Sequence, residues 1–506
     1  MDLIAKYAGS QPDRPALIEG ERVVTWRQFF HTRNRLAHAL ASLGIGAGQH
    51  TVIYAHNSAE NILASQALRA LGAVAVPMNH RLTADEVVYI LDNSDATAVF
   101  VGDGFLPMAE RIRGAATRVK RWITLGHERR PWAEALDALL ANGTDAPPPA
   151  ATVGGSMVYT AGTTGKPKGA LRRTVDAASL LPRLAALDCV DPAHVHLVAG
   201  PLYHSAPGGF ALYAHLVGNT VVVMRKFDAE DALHQIERHR CTTTFMAPTL
   251  LKRIVDLPAA IRARYDVSSM RSIVVAAAPC PMRVKEQVLE MFGPVLYEFY
   301  GSTELGVNTV LRPEDVLRKP GSCGTAAPGV ELAVLDDDGH PAPTGTPAEL
   351  FVRRYSGVFD EYYKNPTATA QTSRGEWMSV GDVAWMDAEG FVYICDRKRD
   401  MIISGGVNIY PAEIEDTLHR HPAIEDAAVF GVPDAEWGER VHAAVQLRAG
   451  MSATERDVMD FCRAHLADYK TPREVSFHVE FPRDSAGKLV KRVLREPHWA
   501  GRATRV

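Results

Sequence analysis

Residues 159–170 read YTAGTTGKPKGA, with three glycines, three threonines and two lysines in twelve positions. Glycine lets a ligand approach the backbone closely. Hydroxyls, N–H groups and Lys166 or Lys168 supply donors, so the stretch has the makings of a phosphate cradle. The best-known phosphate loop puts four residues between its first glycine and a Gly-Lys-Ser/Thr triplet. Here two residues separate Gly162 from Gly165, and Pro167 follows Lys166 where Ser or Thr would stand. It is not that loop, and taken alone the stretch reads better as a flexible turn with solvated lysines.

Its surroundings set the scale. A chain of 506 residues exceeds one core, so two to four domains or subdomains are expected. A 46% hydrophobic and 23% charged composition is that of an ordinary globular protein. The net charge of -4 and pI near 6.6 leave no footprint for nucleic acid. The first twenty residues carry charges where a signal peptide needs an apolar run, and no uncharged apolar window of membrane-spanning length occurs, so neither a leader nor a span is expected. Six scattered cysteines without a C-x-x-C pair argue against a zinc site and a disulfide framework, and fit a reducing cytoplasm.

Outward from the glycine loop the pattern alternates strand and helix. Residues 25–44 predict a helix with Thr25 as N-cap and Gly44 as stop signal. HTVIYAH (50–56) and AVAVPM (73–78) read as buried strands around the helix NILASQALRALG (61–72). NGTDAPPPA (142–150) is a Pro-rich connection into the strand before the loop. TVVVMRKF (220–227), a helix from Ala229 to His239, TTTFMAP (242–248) and SIVVAAAPCP (272–281) continue the alternation, which implies layered α/β structure with mostly parallel strands. From about Gly321 close Pro/Gly spacing suggests a β-rich subdomain, and after Arg397 a small α+β module begins.

Three further motifs follow the loop: YEFYGSTE (297–304), SVGDVAWMDAEGFVYICDRKRDMIISGGVNIYPAEIE (379–415) and RDSAGKLVKR (483–492). In this order the four resemble the signatures of the adenylate-forming (ANL) superfamily: acyl- and aryl-CoA synthetases, peptide-synthetase adenylation domains and beetle luciferases. The resemblance runs from the first helix to about Lys491. It implies an α/β fold with a large N-terminal adenylation domain over 1–396, which includes the β-rich part, and a small mobile α+β domain over 397–506. It also implies the reaction: a carboxylate attacks the α-phosphorus of ATP, giving acyl-AMP and pyrophosphate. Two anions must then meet among positive charges and hydrogen-bond donors.

By the same resemblance, Thr160, Gly162, Thr163, Thr164, Gly165 and Lys168 hold the β- and γ-phosphates. Thr303 bonds the α-phosphate and Glu304 serves Mg²⁺, a metal that favours few carboxylates plus substrate phosphates. Tyr300 lies against the adenine, with Ala278 in the same nucleotide site. Asp382 accepts from the ribose hydroxyls and Arg397 also reaches the ribose; Asp396 stands where relatives usually have glycine. Lys488 bridges carboxylate and α-phosphate, a role that suits a point charge on a flexible stem. A hinge over about 396–400, centred on Arg399, then swings the small domain so that Gly405 and Gly406 line the pantetheine tunnel of coenzyme A. Trp437, Tyr469, Lys470 and Arg81 match variable CoA-nucleotide contacts, for which a plain surface role is an equal reading. The basic run 111–122 reads better as a solvated face than as a CoA phosphate site.

The acid is approached through four segments that match the acyl-pocket lining: 204–213, 245–250, 276–281 and 301–308. They contain His204 at the gate, then Gly208, Gly209, Phe245, Ala276, Gly301 and Gly306, and Glu304 is their sole charge. A charged substrate tail without a partner is costly to desolvate, so a neutral tail is expected. The small lining predicts room for a fatty, aryl or polycyclic acid. CoA is the expected acceptor, a carrier protein the alternative, and a homodimer stays open. From another class comes a decayed nucleotide-binding fold, suggested by Ala161, Asp396 and the LRRT segment after the loop; the six reacting positions Thr163, Thr303, Glu304, Asp382, Arg397 and Lys488 argue against it.

Overall fold

The computed structural model describes residues 2–148, 154–160, 167–174, 177–397, 400–404, 407–434, 437–483 and 489–500. The chain divides into two compact units: Met1–Arg318 with Ala326–Val330 and Arg354–Glu376, and Lys319–Thr325 with Glu331–Arg353 and Trp377–Val506.

The first unit is built on two sheets. One has seven strands, in the order Leu296–Glu298, Ser272–Val275, Thr243–Met246, Val195–Val198, Thr220–Val223, Pro15–Glu19 and Arg22–Thr25, parallel but for the last pair. The other has eight, in the order Glu361–Tyr362, Lys168–Arg172, Ser156–Thr160, Val74–Pro77, His50–Tyr54, Ala98–Val101, Arg121–Thr124 and Glu134–Ala135. Strands such as Thr243–Met246 and Ser272–Val275 are buried at every residue, as parallel strands covered on both faces must be. One cluster of buried side chains joins both sheets to the helices between them: Leu17, Val198 and Val221, then Trp26, Leu36, Leu63, Leu68 and Ala211, then Ile53, Phe100 and Ile123.

The helix predicted over 25–44 is Trp26–Ser42, preceded by a short helix Leu3–Ser10. The Thr25 hydroxyl accepts from the Gln28 N–H at 3.3 Å and the Gln28 side chain accepts from the Thr25 N–H at 2.9 Å, a capping box that stabilises the helix by about 1 kcal/mol. The helix ends two residues short of Gly44, which takes the left-handed conformation (φ +81°).

The second unit holds an antiparallel sheet of Leu332–Leu335, Ala348–Arg353, Trp377–Met378, Asp382–Met386 and Val392–Arg397. It also holds a five-stranded sheet packed by helices Pro411–His419 and Glu455–His465 around Ile402, Ile414, Leu418, Val429, Val445 and Val458. Its longest strand is Ile424–Asp434. The architecture is the mixed α/β one expected, with a large N-terminal and a small C-terminal domain. All six cysteines are free thiols and five are buried. No helix of the described residues is long and apolar enough to cross a membrane.

Buried histidines give this core a pH dependence. His215 contacts the Ala16 carbonyl at 3.0 Å and His196 the Thr243 hydroxyl at 3.0 Å; burial lowers them to about 4 and about 3. Unfolded, both would take a proton near pH 6.5. The stability from keeping them neutral is therefore complete above pH 6.5 and is lost as the pH falls towards 4. Each should cost about 2 kcal/mol on going from pH 7 to pH 5. Denaturant midpoints at the two pH values should show a smaller loss for His215→Gln than for the unaltered protein; equal losses would contradict the assignment.

Candidate active site

Strands Ser156–Thr160 and Lys168–Arg172 pair antiparallel with Thr160 opposite Lys168, so the glycine stretch connects a hairpin. Gly162, Thr163, Thr164 and Gly165 lie outside the described residues. The foot of the hairpin is fixed by Glu304. Its Oε1 accepts from the Thr160 hydroxyl at 3.3 Å and from the Tyr362 hydroxyl at 2.7 Å, and the residue is 6% exposed. Strand Glu361–Tyr362 brings Tyr362 there by pairing with Lys168–Arg172, with Tyr362 opposite Ala170. The Lys168 ammonium stands 5.3 Å over the Tyr362 ring. Thr303-Glu304 sits in the tight turn between Gly301–Ser302 and Gly306–Val307, and the Phe359 N–H donates to the Glu304 carbonyl at 2.7 Å.

This set suits a divalent cation. Among the described residues the carboxylate meets neutral hydroxyls at Oε1 and takes no hydrogen bond at Oε2, so one oxygen is oriented and the other is open. A buried carboxylate of that kind is costly without positive charge, which a Mg²⁺ bound by it and by phosphates would supply.

The Thr303 hydroxyl is 2.9 Å from that of Ser205, the first residue of helix Ser205–Val217, and the Thr303 carbonyl accepts from Arg172 Nη2 at 3.2 Å. His204 is the helix N-cap. A helix N-terminus with two adjoining hydroxyls can bind an anion. The rings of His204, Tyr203, His80 and His56 follow one another at 4.3, 5.0 and 4.5 Å. Burial first, then His56, Arg81 and His204, lower His80 to about 4, so it is neutral at pH 7. Tyr300 is held through its backbone, donating to the Thr309 hydroxyl at 2.9 Å and accepting from the Asn308 N–H at 2.9 Å. Ala278 follows Ala277, whose φ of +77° marks a strained turn after strand Ser272–Val275.

The acyl-wall glycines need a correction. Their missing side chains are not open volume. A Cβ on Gly208 would lie 2.5 Å from the Leu202 carbonyl, and one on Gly301 would lie 2.0 Å from that of Gly306. Gly306 has φ +72° and a Cβ there would lie 2.9 Å from the Tyr355 hydroxyl; on Gly209 it would touch the Tyr213 ring at 3.4 Å. Close packing or backbone conformation requires Gly208, Gly301 and Gly306, so these three do not report the size of the acid; at Gly209 the contact would be an ordinary one. Phe245 and Ala276 are buried, Phe245 stacked on Phe210 with centroids 5.3 Å apart.

In the second unit, Asp382 is 7% exposed and stands directly opposite Arg397 in the ladder between Asp382–Met386 and Val392–Arg397. The Arg397 side chain lies outside the described residues, as do Arg399, Gly405, Gly406 and Lys488. Asp396 accepts from the Ala412 N–H at 3.3 Å and pairs with Lys491 at 3.6 Å; Glu415 pairs with the same ammonium at 2.8 Å. The Lys470 ammonium is held by both oxygens of Glu413 at 2.7 Å, while Trp437 and Tyr469 are about half exposed. Arg118 of the basic run is paired with Asp92 and Asp95, on a groove of about 430 Å³.

Tyr362, Ser205, Arg172, Arg183 and Tyr355 were not singled out in the sequence. Each reaches the site through strand pairing or helix packing between distant segments; Ser205 lies in segment 204–213 and Arg172 in LRRT, but neither was given a role there.

The model of the AMP-binding enzyme family matches residues 4–363, and that of the AMP-binding enzyme C-terminal domain matches residues 413–488. The chain belongs to the AMP-binding enzyme family. Like the family, it is an adenylate-forming acid–thiol ligase that binds ATP and AMP. It is 34% identical over 509 residues to the indoleacetate–CoA ligase of Aromatoleum aromaticum, covering 97% of each chain. It is 32% identical over 511 residues to the fatty acid–[acyl-carrier-protein] ligase ScoC of Streptomyces coeruleorubidus, covering 99% of this chain and 96% of that one. The crystal structure of the anthranilate CoA ligase AuaEII in complex with anthranoyl-AMP superposes with a TM-score of 0.90 at 27% identity, covering 99% of this chain and 98% of that one.

If Tyr362 orients the metal-facing carboxylate, Tyr362→Phe removes one charge-assisted hydrogen bond and should lower acid-dependent pyrophosphate exchange about tenfold. The melting temperature should move by only a few degrees. Unchanged exchange would remove Tyr362 from the site.

Proposed function

We propose that this protein joins a carboxylic acid to coenzyme A through an acyl-AMP, using ATP and Mg²⁺. The observation that supports this most strongly is the Glu304 clasp: a buried carboxylate, one oxygen bonded by Thr160 and Tyr362, at the foot of the glycine hairpin and beside the Thr303–Ser205 hydroxyl pair. Lys168 and residues 161–166 hold the terminal phosphates, Thr303 and the helix at Ser205 the α-phosphate, and Tyr300 and Ala278 the adenine. Asp382 and Arg397 take the ribose. Glu304 is the residue that would hold Mg²⁺, which would neutralise phosphate charge. Lys488 joins the carboxylate to the α-phosphate, and the segment around Gly405 and Gly406 then guides the thiol. The acid is a fatty, aryl or polycyclic one.

A carrier protein is the second reading of the acceptor, favoured by the likeness to a ligase named for an acyl carrier protein. Likeness to an indoleacetate–CoA ligase at 34% identity supports CoA.

AMP release measured with a panel of acids, with and without CoA, separates these readings. AMP formation should require one acid class and CoA together, and Lys488→Ala should lower it about 10²- to 10³-fold, the usual effect of removing one transition-state charge partner. Acid-dependent pyrophosphate exchange without CoA-dependent turnover would favour the carrier protein. ATP binding with no acid-dependent chemistry would overturn the ligase reading.

A further inference from the structure

The last residue of the 301–308 segment carries an amide that the fold leaves unused. Asn308 is fully buried, and neither its side-chain oxygen nor its side-chain nitrogen has a hydrogen-bond partner among the described residues. Its main chain is engaged on both sides: the N–H donates to the Tyr300 carbonyl at 2.9 Å, and the carbonyl accepts from the Ala327 N–H at 2.8 Å. The strand therefore cannot shift to bring the amide to water without breaking these bonds. The other polar side chains of the segment are all bonded. The Ser302 hydroxyl accepts from the Leu305 N–H at 3.1 Å, Thr303 meets Ser205, and Glu304 meets Thr160 and Tyr362. Asn308 is the exception.

The register shows what lies beside it. Gly301 pairs with Val307 and Ser302 with Gly306, and the Asn308–Tyr300 bond carries this ladder one pair further. Residues opposite each other in an antiparallel ladder share a face, so Asn308 stands next to Tyr300, on the face of Ser302 and Gly306. The space that a Gly306 side chain would need holds the Tyr355 hydroxyl, which gives its proton to the Leu305 carbonyl at 2.6 Å. The Tyr355 ring in turn carries the Arg183 guanidinium, 4.0 Å from its centre, and Arg183 is 3% exposed, which shuts water out on that side. A buried amide with both ends unpaired is rare, because it has lost its bonds to water and gained none. Its oxygen needs a donor and its nitrogen an acceptor, so the missing partner must offer both.

We propose that Asn308 recognises a neutral group on the tail of the acid that both donates and accepts hydrogen bonds, a hydroxyl or a carboxamide. The inference rests on reading the chain as an acid ligase and residues 301–308 as part of its acyl wall. It keeps the tail neutral and narrows the fatty, aryl or polycyclic acids to those that carry such a group. A hydroxyl gives its proton to Oδ1 or accepts one from Nδ2, and a carboxamide pairs with both at once. A plain hydrocarbon at this place would leave the amide buried and unbonded in the complex as well, which is how a polar site rejects an apolar analogue.

The test uses matched series of aryl, fatty and polycyclic acids that bear a hydroxyl, a carboxamide or a methyl group at one position of the tail, with kcat/KM read as AMP release. In at least one series the unaltered enzyme should prefer a hydroxyl or carboxamide acid to its methyl counterpart by about ten- to hundredfold, and the two polar arms say which group it takes. Asn308→Leu, which keeps the branch and loses both polar ends, should bring that ratio to one or below. Asn308→Ala repeats the measurement if the leucine variant does not fold. A methyl acid used as well as its polar counterparts in every series would overturn the proposal, and that arm needs no variant. So would a ratio unmoved in the folded variants, or variants that lose only a preference for ATP over GTP, which would give the amide to the base beside Tyr300. No acid-dependent AMP with any acid would instead strike the ligase reading, and the proposal with it.

Discussion

The site depends on one buried carboxylate. Glu304 sits in a three-residue turn between two-residue strands, and two distant parts of the first unit converge on it: the hairpin through Thr160, and the segment 359–362 through the Tyr362 hydroxyl and the Phe359 N–H. A carboxylate taken out of water costs several kcal/mol unless bonds and charge compensate it. The hydroxyls on Oε1 compensate in part and leave Oε2 facing the remaining demand. The geometry that holds the hairpin foot is thus also the geometry that prepares a cation site.

The surroundings follow from that constraint. Because Tyr362 pairs opposite Ala170, the strand carrying Lys168 cannot slip in register without removing the tyrosine from Glu304. The same turn puts Thr303 against Ser205 and the start of helix Ser205–Val217, so donors for two kinds of phosphate oxygen lie on either side of one dipeptide. Beyond it, Gly306 accepts the Tyr355 hydroxyl in the place of its own side chain, and Tyr355 carries Arg183. A line of direct contacts therefore runs from the turn that carries Glu304 through Tyr355 to Arg183.

Much of this was legible in the sequence. Thr25 and the apolar spacing after it located helix Trp26–Ser42, because capping and periodicity are local. The motifs pointed to Thr160, Lys168, Thr303 and Glu304, which the fold of the first unit brings together. Asp396, an oddity in the motif, proves to be a paired side chain bound to Lys491 and to the start of helix Pro411–His419. Not legible were the partners supplied by tertiary pairing. Nothing near Tyr362 points to residue 304, and nothing in AASLLPRLAA says that its arginine turns inward. The glycines of the acyl wall misled for a related reason: absence of a side chain looks the same in sequence whether the space goes to a ligand or to a neighbouring carbonyl.

The most direct test of the account is calorimetric binding of ATP with and without Mg²⁺ to the unaltered protein and to Glu304→Gln. The account predicts that Mg²⁺ strengthens ATP binding in the former and that Glu304→Gln loses this gain, with metal-free ATP bound about equally by both. An undiminished Mg²⁺ effect in Glu304→Gln would contradict it, and would mean that the buried carboxylate serves the fold alone.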